Sequence, residues 1–274
     1  MKPLHNAALC AGLILAAAGP SLAQNDCAAG KTIKDGVLTV ATGNPAYFPW
    51  VIDNDPAAGK GFEAAVAYEV AARLGFAADK VEWTTTSFDQ AIQPGAKEFD
   101  FNLQQFSITP ERDEVIDFST PYYQAAQAVL VRQPVIDAGA TPTLASLKSL
   151  KWGLAAGTTA PALIQQLVAP ETEPLLYDDT ADAAEALKAG QVDATLMDLP
   201  TALFTAAVVL DDGVVLGQFP KGADAPDAFG LVFAEGNPLR DCANEALAEM
   251  TADGKLESVE AEWLQEATGV PVIE

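Results

Sequence analysis

Three small groups of residues in this chain have the types and spacing to grip a small charged molecule. In the first, Ser107, Thr109 and Arg112 follow a run in which Phe99, Phe101 and Leu103 alternate with Asp100, Asn102 and Gln104. That alternation marks a strand with one buried face, and Thr109-Pro110-Glu111 is the chemistry of a helix start. A strand end that brings together free backbone N–H groups, two hydroxyls and a guanidinium can receive a carboxylate, because Arg holds both oxygens in a fork. The same residues also make an ordinary capped surface turn with Arg112 in solvent. In the second group, Gly157-Thr158-Thr159 joins the apolar strand 152–156 to a helix beginning near Ala160-Pro161. Free N–H groups there form either an anion seat or a plain cap. The third is Asp198, which closes the apolar run 194–197 ahead of Leu199-Pro200 and is either a counter-ion or a helix N-cap. Two aromatic positions stand near these groups. Tyr47 shares a loop with Phe48, Pro49 and Trp50, where core filling and ligand contact both occur, and Phe88 opens a helix, where it could be a hydrophobic staple.

The stretch 98–123 carries more than spacing. It reads D-x-x-x-x-x-x-S-I-T-x-x-R followed by D-F-S-x-P-Y, as Asp100, Ser107, Ile108, Thr109, Arg112, Asp117, Phe118, Ser119, Pro121 and Tyr122. This resembles the signature of the periplasmic polar amino-acid binding proteins of ABC importers. Gly61-Phe62-Glu63 is similar to the G-[FY]-[DE] that opens the family's first lobe helix, and Tyr47 stands in its Y-x-P-[FW] run. The resemblance implies a type II periplasmic binding-protein fold: α/β, two lobes, each a central mostly parallel sheet flanked by helices, joined by two hinge strands. It implies Arg112 with Ser107, Thr109 and Thr159 for a ligand carboxylate, Asp198 for its α-ammonium, Tyr47 and Phe88 as apolar walls, and Thr158 as a further ligand-binding residue. Asn44 and Gln105 occupy positions where binders of basic amino acids carry an acid and a small residue. Neutral polar ligands are therefore expected ahead of lysine or arginine.

The elements that must hold these groups can be read from periodicity. Residues 37–41 form an apolar strand running into Thr42-Gly43-Asn44-Pro45. Phe62, Val66, Val70 and Leu74 fall at helical spacing between Gly61 and Gly75, and Val81-Glu82-Trp83-Thr84 is a second strand. A pseudo-repeat of helix, glycine turn, hydrophobic-Asp and strand relates 90–103 to 185–196, so two similar α/β lobes are expected. Residues 125–132 read as a strand leaving the first lobe, with the return near Lys221–Phe229. This places residues 24–131 and 227–274 in lobe 1 and 132–226 in lobe 2.

Lys2, the apolar run 7–18 and the small residues Ser21-Leu22-Ala23 form a signal peptide over 1–23, cleaved after Ala23 for export to the periplasm. Fifteen basic against 38 acidic residues give a net charge of −23, which disfavours nucleic acid and anionic lipid as partners. Of three cysteines, Cys10 leaves with the leader, so Cys27 and Cys242 remain as a pair. They either bridge, closing a loop worth on the order of 5 kcal/mol less any strain, or stay as two buried thiols.

The expected function is therefore capture of a polar amino acid by a monomer and delivery to an ABC permease, with no metal and no cofactor. Two other readings stay open. Some proteins of this fold are periplasmic dehydratases acting on prephenate-like acids, but the sole His5 lies in the leader, so carboxylates such as Asp198 would have to supply the proton. A sensor's ligand-binding domain would come attached to a membrane segment.

Overall fold

A computed structural model of the chain describes residues 26–220, 228–264 and 269–274. The leader and most of the return segment near Lys221 lie outside the described residues. In chain order the first strands are β1 (Leu38–Thr42), β2 (Val81–Thr85), β3 (Phe101–Asn102), β4 (Asp117–Phe118), β5 (Tyr123–Gln124) and β6 (Gln127–Arg132). There follow β7 (Gly153–Ala155), β8 (Leu175–Tyr177), β9 (Ala194–Asp198), β10 (Gly213–Gln218), β11 (Ala228–Phe229) and β12 (Val232–Phe233). One sheet runs β2-β1-β3-β12-β4, with β1 parallel to both neighbours and β12 antiparallel. The second is built on β10-β6-β9, all antiparallel, and a parallel bridge from Trp152 to Ala194 attaches the parallel pair β7-β8. Both sheets are thus mixed, and helices flank them.

The first core joins Leu38 and Val40 of β1 to Phe62, Val66 and Val70, which line one side of the helix Phe62–Arg73 as their spacing dictates. Helix Leu239–Ala252 completes it with Leu239, Leu247 and Met250. Gly61 explains the join between that first helix and the aromatic loop: at φ 101 its missing Cβ would stand 2.5 Å from the Trp50 carbonyl oxygen. The N–H groups of Phe62 and Glu63 can then donate to the carbonyls of Pro49 and Trp50, which ties the loop to the helix start.

Strand β6 is buried on both faces, with Val129 and Val131 in one core of the second lobe and Ala128 and Leu130 in another. By its pairing it belongs to the second sheet. The crossing between lobes therefore falls at β5 and β11, which pair with each other, ahead of the boundary read at residues 131–132. The chain's last described residues also depart from that division. Val272 bridges to Gln218, and Ile273 packs into the core around Trp152. Residues 269–274 therefore lie on the second lobe although helices Leu239–Ala252 and Lys255–Trp263 pack on the first.

Cys27 and Cys242 form a disulfide with Cα atoms 5.8 Å apart, pinning the start of the described chain to helix Leu239–Ala252. Its 215-residue separation spans the whole second lobe. Reduction is expected to remove about 2–4 kcal/mol of stability, seen as a lower denaturation midpoint in urea with dithiothreitol. Identical midpoints with and without reductant would contradict this.

Candidate functional site

Every group singled out above except Thr109 lines a cleft at the carboxyl ends of the strands. Two adjoining cavities fill it. The smaller, about 60 Å³, is lined by Ser107 and Arg112 after β3, by Thr158 and Thr159 after β7, and by Asp198 at the end of β9. The larger, about 280 Å³, is lined by Asn44 and Tyr47 after β1, with Asp178 and Asp179 after β8 opposite. Phe88, Gln105 and Thr158 line both.

Arg112 is the centre of the smaller cavity. Its Nη1 donates to the Ser107 carbonyl at 2.8 Å and its Nη2 crosses the cleft to the Gly157 carbonyl at 3.0 Å. The guanidinium sits over the Phe88 ring, 5.3 Å from its centroid. Burial pulls its pKa down to about 10, against Asp89 and Glu111, which raise it from a distance. Among the described residues no carboxylate lies within ion-pair reach of it. A desolvated cation held by neutral carbonyls alone is poised for an anion that enters from the cleft.

Asp198 faces the same cavity from the other lobe and also caps a helix. Its Oδ1 accepts from Thr201 N, capping helix Leu199–Phe204, while its Oδ2 accepts from Thr201 Oγ1, each at 2.8 Å. Burial pushes its carboxyl up to about 6, although the two Thr201 bonds pull it down. A cation brought beside it would restore its charge.

The model of the bacterial extracellular solute-binding proteins, family 3, matches residues 38–266 of this chain. The chain belongs to that family. Among curated relatives of the family 3 proteins, the L-cystine-binding protein TcyJ of Escherichia coli (strain K12) is 30% identical over 219 residues, 79% of each chain. Among solved structures, an ancestral arginine-binding protein bound to arginine superposes with a TM-score of 0.69 at 28% identity, covering 84% of this chain and 99% of that one. An ancestral amino acid-binding protein described as a precursor of cyclohexadienyl dehydratase gives 0.67 at 27%, covering 84% and 96%. The type II periplasmic binding fold is thereby shown.

Within this family 3 protein the remaining candidates divide. Thr109 lines neither cavity: its side chain accepts from Arg112 N as the cap of helix Pro110–Asp113, the plain role its spacing allowed. Thr158 is partly spent locally, since its Oγ1 donates to the Ala155 carbonyl and accepts from Ala160 N. Phe88 stacks on Phe106 at 4.6 Å, which fixes the ring under Arg112. Tyr47 is held with its hydroxyl pushed up to about 12 by burial and by Asp179. Two polar residues that line the smaller cavity were missed. Gln127 is the polar residue that opens β6 ahead of the apolar run 128–131, a signal that could have found it, whereas Thr180 had none.

Two contacts span the cleft's edge. Trp50 Nε1 donates to Thr201 Oγ1 at 2.8 Å, so the hydroxyl that serves Asp198 is itself anchored by the first lobe. Phe48 stacks on Phe204 with centroids 4.3 Å apart. Among the described residues no group of three or more His, Cys, Asp or Glu side chains is arranged to hold a metal ion, and no helix is long and apolar enough to cross a membrane.

Proposed function

We infer that this chain captures an α-amino acid with a polar side chain in the cleft between its lobes and hands it to an ABC permease outside the inner membrane. One observation carries the reading: Arg112, a desolvated cation without a carboxylate partner among the described residues, and Asp198, a buried acid, line one small cavity from opposite lobes. That pair matches the two charges of a zwitterion. Arg112 takes the carboxylate, with Ser107 and the N–H groups at Thr158 and Thr159 beside it, and Asp198 takes the ammonium. Phe88 and Tyr47 pack on the apolar stem, while Asn44 and Gln105 meet the side chain's end.

The relatives support this reading, since those named are binding proteins of amino acids. The leader's residues and the family, described as extracellular solute-binding proteins, support export, with the mature chain acting as a monomer. Because one ligand touches both lobes, it favours the closed arrangement by its differential contacts, and the closed form is what a permease would recognise. A thermal-shift screen over the common amino acids tests it. A ligand at 100 times its Kd should stabilise by about 2.7 kcal/mol. No shift with any amino acid, together with dehydration of a prephenate-like acid, would overturn it in favour of an enzyme.

A further inference from the structure

Glu63 is a fully buried carboxylate that the zwitterion grip does not use. Three donors converge on it: Gln105 N at 2.8 Å and the Tyr122 hydroxyl on Oε1, and Gln105 Nε2 at 2.5 Å on Oε2. When ionised it can only accept, and so it fixes which way the Gln105 amide faces. The N–H₂ side is turned inward and Oε1 is left without a partner among the described residues, on a side chain that lines both cavities. The Gln105 backbone sits at φ 52, a conformation that costs a non-glycine residue and that the two hydrogen bonds to Glu63 hold in place.

The neighbouring amide is turned the same way. Gln104 Nε2 donates to Thr86 Oγ1 and Asn102 Oδ1, each at 3.0 Å, and its Oε1 faces Gly43 at the wall of the larger cavity. Across that cavity the opposite lobe presents Asp178 and Asp179. No Lys, Arg or His lines it. Its fixed polar groups are mostly acceptors.

We propose that Gln105, locked by Glu63, is the residue that sets side-chain specificity, and that it selects α-amino acids whose side chains end in an N–H donor. This rests on the zwitterion reading of the smaller cavity and extends it to the larger one. Glu63 is a positioning residue: it never meets the ligand, but without it the amide could turn over and offer N–H instead of oxygen.

Calorimetric titration of the mature protein with three ligands tests this: glutamine, methionine sulfoxide and alanine. Glutamine and methionine sulfoxide are both neutral and of similar length, but the sulfoxide can only accept. The wild type should bind glutamine about tenfold or more tightly than the sulfoxide, since two acceptors would otherwise face each other. The ratio should fall toward one in Glu63→Gln, where the amide is released, and in Gln105→Asn, where asparagine tolerates the left-handed backbone but its carbonyl withdraws. A wild-type ratio near one, or a ratio unmoved in both variants, overturns the specificity role while alanine binding keeps the zwitterion reading. If alanine, glutamine and the sulfoxide all fail to bind the wild type, both fall. The wild-type ratio decides the matter even if neither variant folds.

Discussion

Arg112→Ala should weaken amino-acid binding by roughly 3–5 kcal/mol, two to three orders of magnitude or more, and Arg112→Lys should recover only part of it. The size follows from the site's dryness. In the variant the ligand carboxylate loses a bidentate partner and is left among the Phe88 ring and backbone carbonyls, where an unpaired charge is costly. Lysine returns the charge as a point but cannot reproduce the fork, nor hold Ser107 O and Gly157 O at once. Calorimetry checks the affinity. Arg112→Ala binding within threefold of wild type would show that the carboxylate sits elsewhere.

Asp198→Asn should cost a similar amount for an amino acid but little for the same acid lacking its amino group, because only the former presents an ammonium. The pH profile gives the same residue a second signature. Its carboxyl is raised to about 6 in the ligand-free protein, and an ammonium can pair only with the ionised form. Affinity should therefore rise with pH up to about 6, by at most tenfold per unit, and level off above it. Asp198→Asn should lose that step. Glu63 is pushed up to about 7 by burial against three bonds that pull it down, with Asp198 raising it further. Both raised values make the ligand-free protein less stable as pH climbs through them, so ligand-free stability and affinity should run in opposite directions. If Asp198→Asn keeps both full affinity and the pH step, Asp198 is a helix cap only.

The parts of this site that could be read from sequence are those built by local chemistry. Phe88 follows β2, and Ser107 and Arg112 follow β3, the next strand along the chain; local patterns offered a seat for a carboxylate or a plain cap, and the family resemblance chose between them. Thr109 shows the limit of that logic, since its hydroxyl was already committed to a backbone N–H three residues along the chain. What could not be read is pairing between distant segments. Glu63 looked like the first acid of a packing helix, and nothing near it in sequence points to Gln105. Thr201 and Trp50 are 151 residues apart and meet only because the lobes face each other. Strand β6 was placed at the lobe boundary by its position along the chain, yet its two apolar faces demand cover on both sides, and only the middle of the second sheet supplies that. In the tail at 269–274 Ile273 is the one buried residue, too little pattern to show which lobe it would join.

The Trp50–Thr201 contact also makes the protein its own optical gauge. Of four tryptophans, Trp152 is sealed in the second lobe with its N–H on the Leu147 carbonyl, and Trp83 is bonded to Tyr68 within the first. Trp50 is the indole whose hydrogen bond crosses from one lobe to the other, in a ring cluster with Phe62, Tyr123 and Phe229 beside the crossing strands. Any parting of the lobes must break that bond and let water reach the indole edge, moving its emission to longer wavelength. The light from one side chain thus follows the hinge without any attached dye.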